Sequence, residues 1–338
     1  MDRTVLQHRC DVAAWIIVGA ALFATLRLHL LPALLAGLLV YEIVHVLAPR
    51  LGFLRIKREW GKVAAVGVLA SFIIVILVAG CVGIAAFFRS EAGSLTALLN
   101  KLAEILEGAR NALPGWIVER LPEGVEALKE MVVQWLKDHA RELQSAGKEV
   151  GVGVVHVLVG MVVGAMVALH DARALSELGP LSRALQERAV RLGEAFRRIV
   201  FAQVRISGLN TILTAIFLVA VLPMFGLHLP LLKTMVLVTF IAGLLPVIGN
   251  LISNSVIVLV GLSVSLGAAL ACLAFLVIIH KLEYFVNARI VGSQIHARAW
   301  ELLVAMLIME ALFGIAGIVA APIFYAYLKD ELRSRGVL

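Results

Sequence analysis

Hydrophobic positions along this chain come in long blocks, at 12–28, 30–48, 63–88, 150–169, 206–227, 233–249, 251–266, 268–288 and 300–328. Roughly 20 consecutive apolar residues cross a bilayer, so the pattern predicts an all-α polytopic membrane protein with about 6–8 transmembrane helices. Between the third and fourth blocks the spacing turns helical and one-sided. Leu98, Leu102, Ile105 and Leu106 form one stripe, and Leu128, Met131, Val132, Trp135 and Leu136 another, with Pro114 and Pro122 at the turns. A second amphipathic stretch has Leu178, Leu181, Leu185, Leu192, Phe196, Ile199 and Val200 on one face. Arg183, Glu187, Arg191, Glu194 and Arg198 lie on the others, and these arginines are expected to meet lipid phosphates.

The resulting layout has six parts. Residues 1–88 form an N-terminal transmembrane hairpin plus a third helix, and 89–149 an extracytoplasmic helical domain. Residues 150–172 form a transmembrane helix, 173–205 a cytoplasmic amphipathic helix, 206–328 a C-terminal transmembrane transport region and 329–338 a cytoplasmic tail. The first block resembles a signal peptide but is long and runs straight into a second, so it reads as an uncleaved helix.

Two apolar blocks contain helix breakers. "AGLLPVIGN" places Pro246 and Gly249 in one block, followed by Asn250, Ser253 and Asn254. "LFGIAGIVAAP" places Gly314, Gly317 and Pro322 in another. Irregular backbone at membrane depth survives only where protein buries it or where it lines a wet cavity. Transporters build midplane sites from such interruptions. Both stretches are therefore expected to be broken, re-entrant helices, and three ordinary crossings between 233 and 288 is the competing layout.

Composition and charge add orientation. The chain has 338 residues, 61% hydrophobic and 16% charged, and a formal net charge of +7. Loop 49–62 holds Arg50, Arg55, Lys57, Arg58 and Lys62 against Glu59 alone, which marks it as cytoplasmic. Both termini then fall in the cytoplasm. The insert 89–149 carries 8 Lys+Arg against 10 Asp+Glu and lacks that signature. Cationic loops account for the net charge without nucleic acid. Cys10, Cys81 and Cys272 have neither metal nor disulfide spacing. No phosphate-binding loop, zinc motif or nucleophile elbow is present, so neither enzyme activity nor any cofactor or metal is expected.

Polar groups inside apolar blocks are the candidate path residues. His280, Glu283 and Asn287 share one helix face by their spacing of three and four. Glu310 stands within "LVAMLIMEALFG", one helical turn before Gly314. With Pro246, Gly249, Asn250, Asn254, Gly314, Gly317 and Pro322 they complete the set. Glu42 and His45 read as structural groups near a cytoplasmic end. Gln203, Asn210 and Thr211 are polar contacts at the start of 206–227.

"GLLPVIGN" and "LEYFVNARIVGSQIHARAWELLVAMLIMEALFGIAGIVAAP" resemble the AI-2E family of bacterial transporters. Pro246 and Gly249 match its first motif. Glu283, Asn287 and Gly292 match the second, and His296 the third. Phe313, Gly314, Gly317, Ala320 and Pro322 match the last. Ala288, Ala297, Asn250 and Glu310 depart from it, the first three where proline is common and the last where glycine is usual. The resemblance extends over nearly the whole chain. It implies an inner-membrane permease exporting a small polar metabolite or a signal such as autoinducer-2, assembled as a homo-oligomer, with a pentamer the form implied. A Na+(Li+)/H+ antiporter carried by Glu283 and Glu310 is the alternative, and a non-transporting membrane scaffold the third reading. The expected partners are a small polar solute or cation and the lipid bilayer.

Overall fold

The structure is a computed structural model that describes residues 3–51, 63–64, 66–71, 73, 75, 82, 124–170, 178–244, 248–262, 264–295 and 298–337. Pro246, His296, positions 89–123 and most of the third apolar block lie outside the described residues. Among those described there is no strand, and the chain is an all-α polytopic membrane protein. Its helices are α1 (Arg3–Arg27), α2 (Leu31–Leu51), α3 (Gly124–Asp138), α4 (Ala140–His170), α5 (Pro180–Ile216), α6 (Leu232–Gly243), α7 (Ile248–Leu262), α8 (Leu266–Ile295), α9 (Ala299–Phe313) and α10 (Ile315–Ser334). A π-helical stretch, Phe217–Val221, and a last turn, Leu222–Met224, extend α5. Pro223 withholds an N–H there, and the wider turn absorbs the mismatch.

Among the described residues, four stretches are long and apolar enough to cross a membrane: Leu6–Arg27, Leu31–Ala48, Ala140–His170 and Pro180–Met224. Two of them run through expected boundaries. Helix α4 starts inside the insert and continues into the membrane segment, across 149/150. Helix α5 joins the amphipathic stretch to the apolar one across 205/206. The change of pattern at these points is a change of surroundings, not of backbone, because no proline intervenes. Helix α10 likewise continues past 328 to Ser334.

The chain divides into two compact units. The first comprises Met1–Val75, Gly147–Phe201 and Val291–Leu338. Here α1 and α2 form a hairpin through His29, a left-handed residue with φ 56°. Helix α2 meets α4 through small residues. A Cβ on Gly160 would overlap the backbone of Ala33, and one on Gly164 that of Gly37. Such contact, backbone on backbone, is what glycine permits where apolar solvent gives no hydrophobic drive. The first half of α5 lays Leu192, Phe196 and Ile199 against Ile323, Ala326 and Tyr327 of α10. Helices α9 and α10 form a second hairpin, whose closed end packs Met309, Phe313 and Ala316 around Leu26 and Leu31.

An ionic cluster fastens this unit at the other end of α10. Arg188 and Glu331 are each 1% exposed and lie 3.5 Å apart. Arg188 also reaches Asp11, at 3.5 Å, and donates to the Ala184 carbonyl at 2.7 Å. Arg191 pairs with Glu331, Arg198 with Asp330, and Arg335 with Asp11. Arg188, Arg191 and Arg198 thus meet carboxylates of the same chain, which corrects the expectation that the arginines of 173–205 meet lipid phosphates. Glu42, buried at 7% exposure, lies 3.8 Å from Arg197.

The second unit comprises Ile76–Ala146 and Ala202–Ile290. Its core joins Phe217, Leu218 and Leu222 to Met235, Ile257, Cys272, Leu276 and Ile279. Phe217 stacks on Phe275 with ring centroids 3.9 Å apart.

Two outcomes test this packing by thermal unfolding of the purified protein in detergent. Gly160→Ala drives a methyl into the Ala33 backbone and should destabilise by about 1–3 kcal/mol. Gly153→Ala, on the same helix but with nothing within 4 Å, should be neutral or stabilise by up to about 1 kcal/mol. Arg188→Met removes one of several cations around a buried carboxylate that Arg191 and Arg335 still face, and should cost about 1–3 kcal/mol. The double change Arg188→Met/Glu331→Leu should cost clearly less than the two single changes added.

Candidate functional site

The first interruption lies between α6 and α7. Helix α6 ends at Gly243 and α7 begins at Ile248. A helix end leaves carbonyls without intrahelical donors, and in an apolar setting water does not fill the gap. Helix α5 supplies donors instead. Ser207 Oγ donates to the Phe240 carbonyl at 2.7 Å, and Gln203 Nε2 donates to the Gly243 carbonyl at 2.7 Å. Gly243 has to be small for this: a Cβ there would come within 2.6 Å of Ser207 Oγ. Gly249 is buried, and a Cβ on it would overlap the Ala242 carbonyl, so α7 packs its first turn directly on the end of α6.

Helices α7 and α8 border an open cavity of about 760 Å³, whose described lining residues are Asn254, Ser255, Val258 and Leu259 from α7 and Leu273, Leu276, Val277 and Lys281 from α8. Asn254, half-buried, is the one predicted path residue among the described residues of this wall. Asn250 precedes it by one turn on α7. His280, Glu283 and Asn287 belong to the continuous helix α8, which keeps their spacing on one face. The side chains of Asn250, His280, Glu283 and Asn287 lie outside the described residues.

The second interruption is Gly314, with φ 61° and ψ −141°, a conformation that L side chains avoid. It is both the last cap of α9 and the first of α10. Its N–H donates to the Glu310 carbonyl at 2.7 Å, and the N–H of Gly317 donates to the Gly314 carbonyl at 2.9 Å. A Cβ on Gly317 would overlap the Met309 carbonyl, so the two arms touch backbone to backbone. Pro322 is buried within α10. The Glu310 side chain is exposed, on a helix whose Leu303, Leu307 and Leu312 are exposed too. At the open end of the hairpin, Glu301 accepts from Tyr325 Oη at 2.6 Å and from Lys329 Nζ at 2.5 Å, tying α9 to α10.

The predicted residues thus divide between the units. Gly249, Asn250, Asn254, His280, Glu283 and Asn287 belong to the second, and Glu310, Gly314, Gly317 and Pro322 to the first. The sequence pattern did not single out Ser207 or Ser255. One signal existed for Ser207: it falls on the same face of α5 as Gln203 and Asn210, at spacings of four and three.

A polytopic all-α chain with apolar helices interrupted at glycines, one of whose broken ends is capped from a neighbouring helix, has the construction of a membrane transporter. A model of the AI-2E family transporter matches residues 12–334, and the chain belongs to that family. Comparison with curated proteins and with solved structures gives no match.

If α5 holds the break, Ser207→Ala should leave the Phe240 carbonyl unpaired and destabilise by about 1–3 kcal/mol. Hydrogen exchange should rise in α6 and the first turn of α7 while α1, α2 and α10 keep their protection. Equal exchange throughout would refute the capping role.

Proposed function

We propose that the protein is a secondary transporter that moves a small polar metabolite or signalling molecule, of the kind autoinducer-2 represents, out across the bacterial inner membrane. In this proposal it is a homo-oligomer with both termini cytoplasmic. The observation that carries the reading is the capped break between Gly243 and Ile248. An interrupted apolar helix loses backbone hydrogen bonds and packing continuity. A chain that rebuilds those bonds from Gln203 and Ser207 keeps the interruption for a use, and beside it lies the cavity of Asn254, Ser255 and Lys281.

A second reading, exchange of Na+ or Li+ for protons, draws on Glu310. Its carboxylate is exposed on an apolar helix, one turn from the Gly314 fold. A carboxylate in that setting is costly unless it binds a proton or a cation.

Proteoliposomes of the purified protein separate the two. A panel of small polar solutes, autoinducer-2 among them, is followed with and without a pH gradient, alongside Na+ and Li+. Solute flux is the expected result, and cation–proton exchange without solute flux would favour the second reading. Glu310→Gln should assemble normally, and it should lose the pH dependence of flux if Glu310 couples to protons. Glu310→Gly, the residue usual in the family motif, should be tolerated for assembly. Wild-type rate and pH profile in both variants would make Glu310 structural.

A further inference from the structure

The cavity between α7 and α8 is graded in polarity from one end to the other. Gly261 near the end of α7 faces Ala269 and Cys272 near the start of α8, so the two helices run antiparallel from a short turn. Along α7 away from that turn come Leu259 and Val258, then Ser255 and Asn254. Along α8 away from it come Leu273, Leu276 and Val277, then Lys281. Both walls therefore change from aliphatic to polar in the same direction. Lys281 stands two residues past the apolar run Leu266–Ile279. Among the described lining residues it is the one charged group.

Only three of the eight described lining residues are polar, which leaves a polyhydroxylated solute short of a hydrogen-bond partner for each hydroxyl. The charge those residues bring is positive, which favours an anion over a cation. An ammonium at one end with an amide beside it, and five aliphatic side chains beyond, suits a negative head on an apolar body. We infer that the α7–α8 cavity binds a soluble amphiphilic organic monoanion, a carboxylate whose head pairs with Lys281 and Asn254 and whose apolar body lies along Val258, Leu259, Leu273, Leu276 and Val277. This goes beyond the permease reading, since it gives the cavity an occupant other than a small polar solute, and it rests on that reading only for transport, not for binding.

The probe is octanoate. Radiolabelled octanoate is titrated onto the full-length protein in phosphatidylcholine nanodiscs, with octanamide and octylamine as competitors. Binding should be saturable, octylamine should not compete, and octanamide should compete at least about tenfold more weakly, the loss of one charge-assisted hydrogen bond. Lys281→Gln should weaken octanoate by a similar factor and Lys281→Arg should retain it. Octanamide competing as well as octanoate, or Lys281→Gln binding like wild type, overturns the inference. Because the competitor series uses the wild-type protein, it decides even if Lys281→Gln fails to fold. Nanodiscs containing phosphatidylglycerol separate the sources of the anion. Retained octanoate binding supports a soluble acid, and its abolition assigns the groove to a lipid headgroup and overturns the proposal. Flux in proteoliposomes keeps the two readings apart. Lys281-dependent binding with no flux of any solute upholds the site and removes the permease reading. Solute flux without octanoate binding leaves the permease reading and overturns this one.

Discussion

The structure turns on one constraint: a backbone carbonyl in an apolar medium must find a donor inside the protein. The two interruptions answer it differently. At the end of α6 the donors are borrowed from α5, from Ser207 to Phe240 and from Gln203 to Gly243. At Gly314 the reversal is so tight that the helical bonds pass almost without a gap, from Gly314 to Glu310 and from Gly317 and Ile318 to Gly314. The first solution depends on a neighbouring helix. The second is contained in one glycine's backbone freedom.

The same low-dielectric logic governs the charged cluster of the first unit. A guanidinium as enclosed as that of Arg188 is tolerable only with carboxylates around it. Asp11 from α1 and Glu331 from α10 provide them. Three helices far apart in sequence are thereby held at one level, and the register of α10 against α5 is set by charge as well as by Phe196 and Tyr327. This explains why α10 remains helical to Ser334 where hydrophobicity alone suggests an end near 328.

What the sequence made legible follows from locality. The breaks could be placed because proline and glycine act on their own backbone, so Gly249, Gly314 and Gly317 announce a break or close approach without any partner. The family, too, was readable from the short motifs around them. Partners were not legible. Arg188 and Glu331 are 143 positions apart, and nothing periodic links them. The arginines of α5 looked like lipid contacts because a one-sided helix has the same pattern whether its polar face meets lipid headgroups or another helix's acids. Lys281, two residues past the apolar run Leu266–Ile279, carries no local pattern that marks it as a cavity-wall residue. Helices α4 and α5 show the remaining ambiguity, since a switch from amphipathic to apolar pattern marks where surroundings change and says nothing of whether the backbone ends.

The break and the cavity are coupled by helix geometry. Gly249 is pressed against the Ala242 carbonyl, which fixes both the axial position and the rotation of the first turn of α7. Asn254 lies five residues further along the same uninterrupted helix, and a helix of this length transmits rotation rigidly. Rotating α7 by one residue's step, about 100°, would carry Asn254 off the wall and bring a neighbouring side chain onto it. One contact that sets whether the amide faces the cavity thus lies outside it: the glycine-on-carbonyl contact at the broken end, acting together with the contact of Gly261 against Ala269 and Cys272. Any change of state that frees the Gly243 and Phe240 carbonyls from Gln203 and Ser207 releases α6, and with it the surface on which α7 is indexed. The interruption is in this sense the pivot of the site, and the polar residues downstream of it take their positions from it.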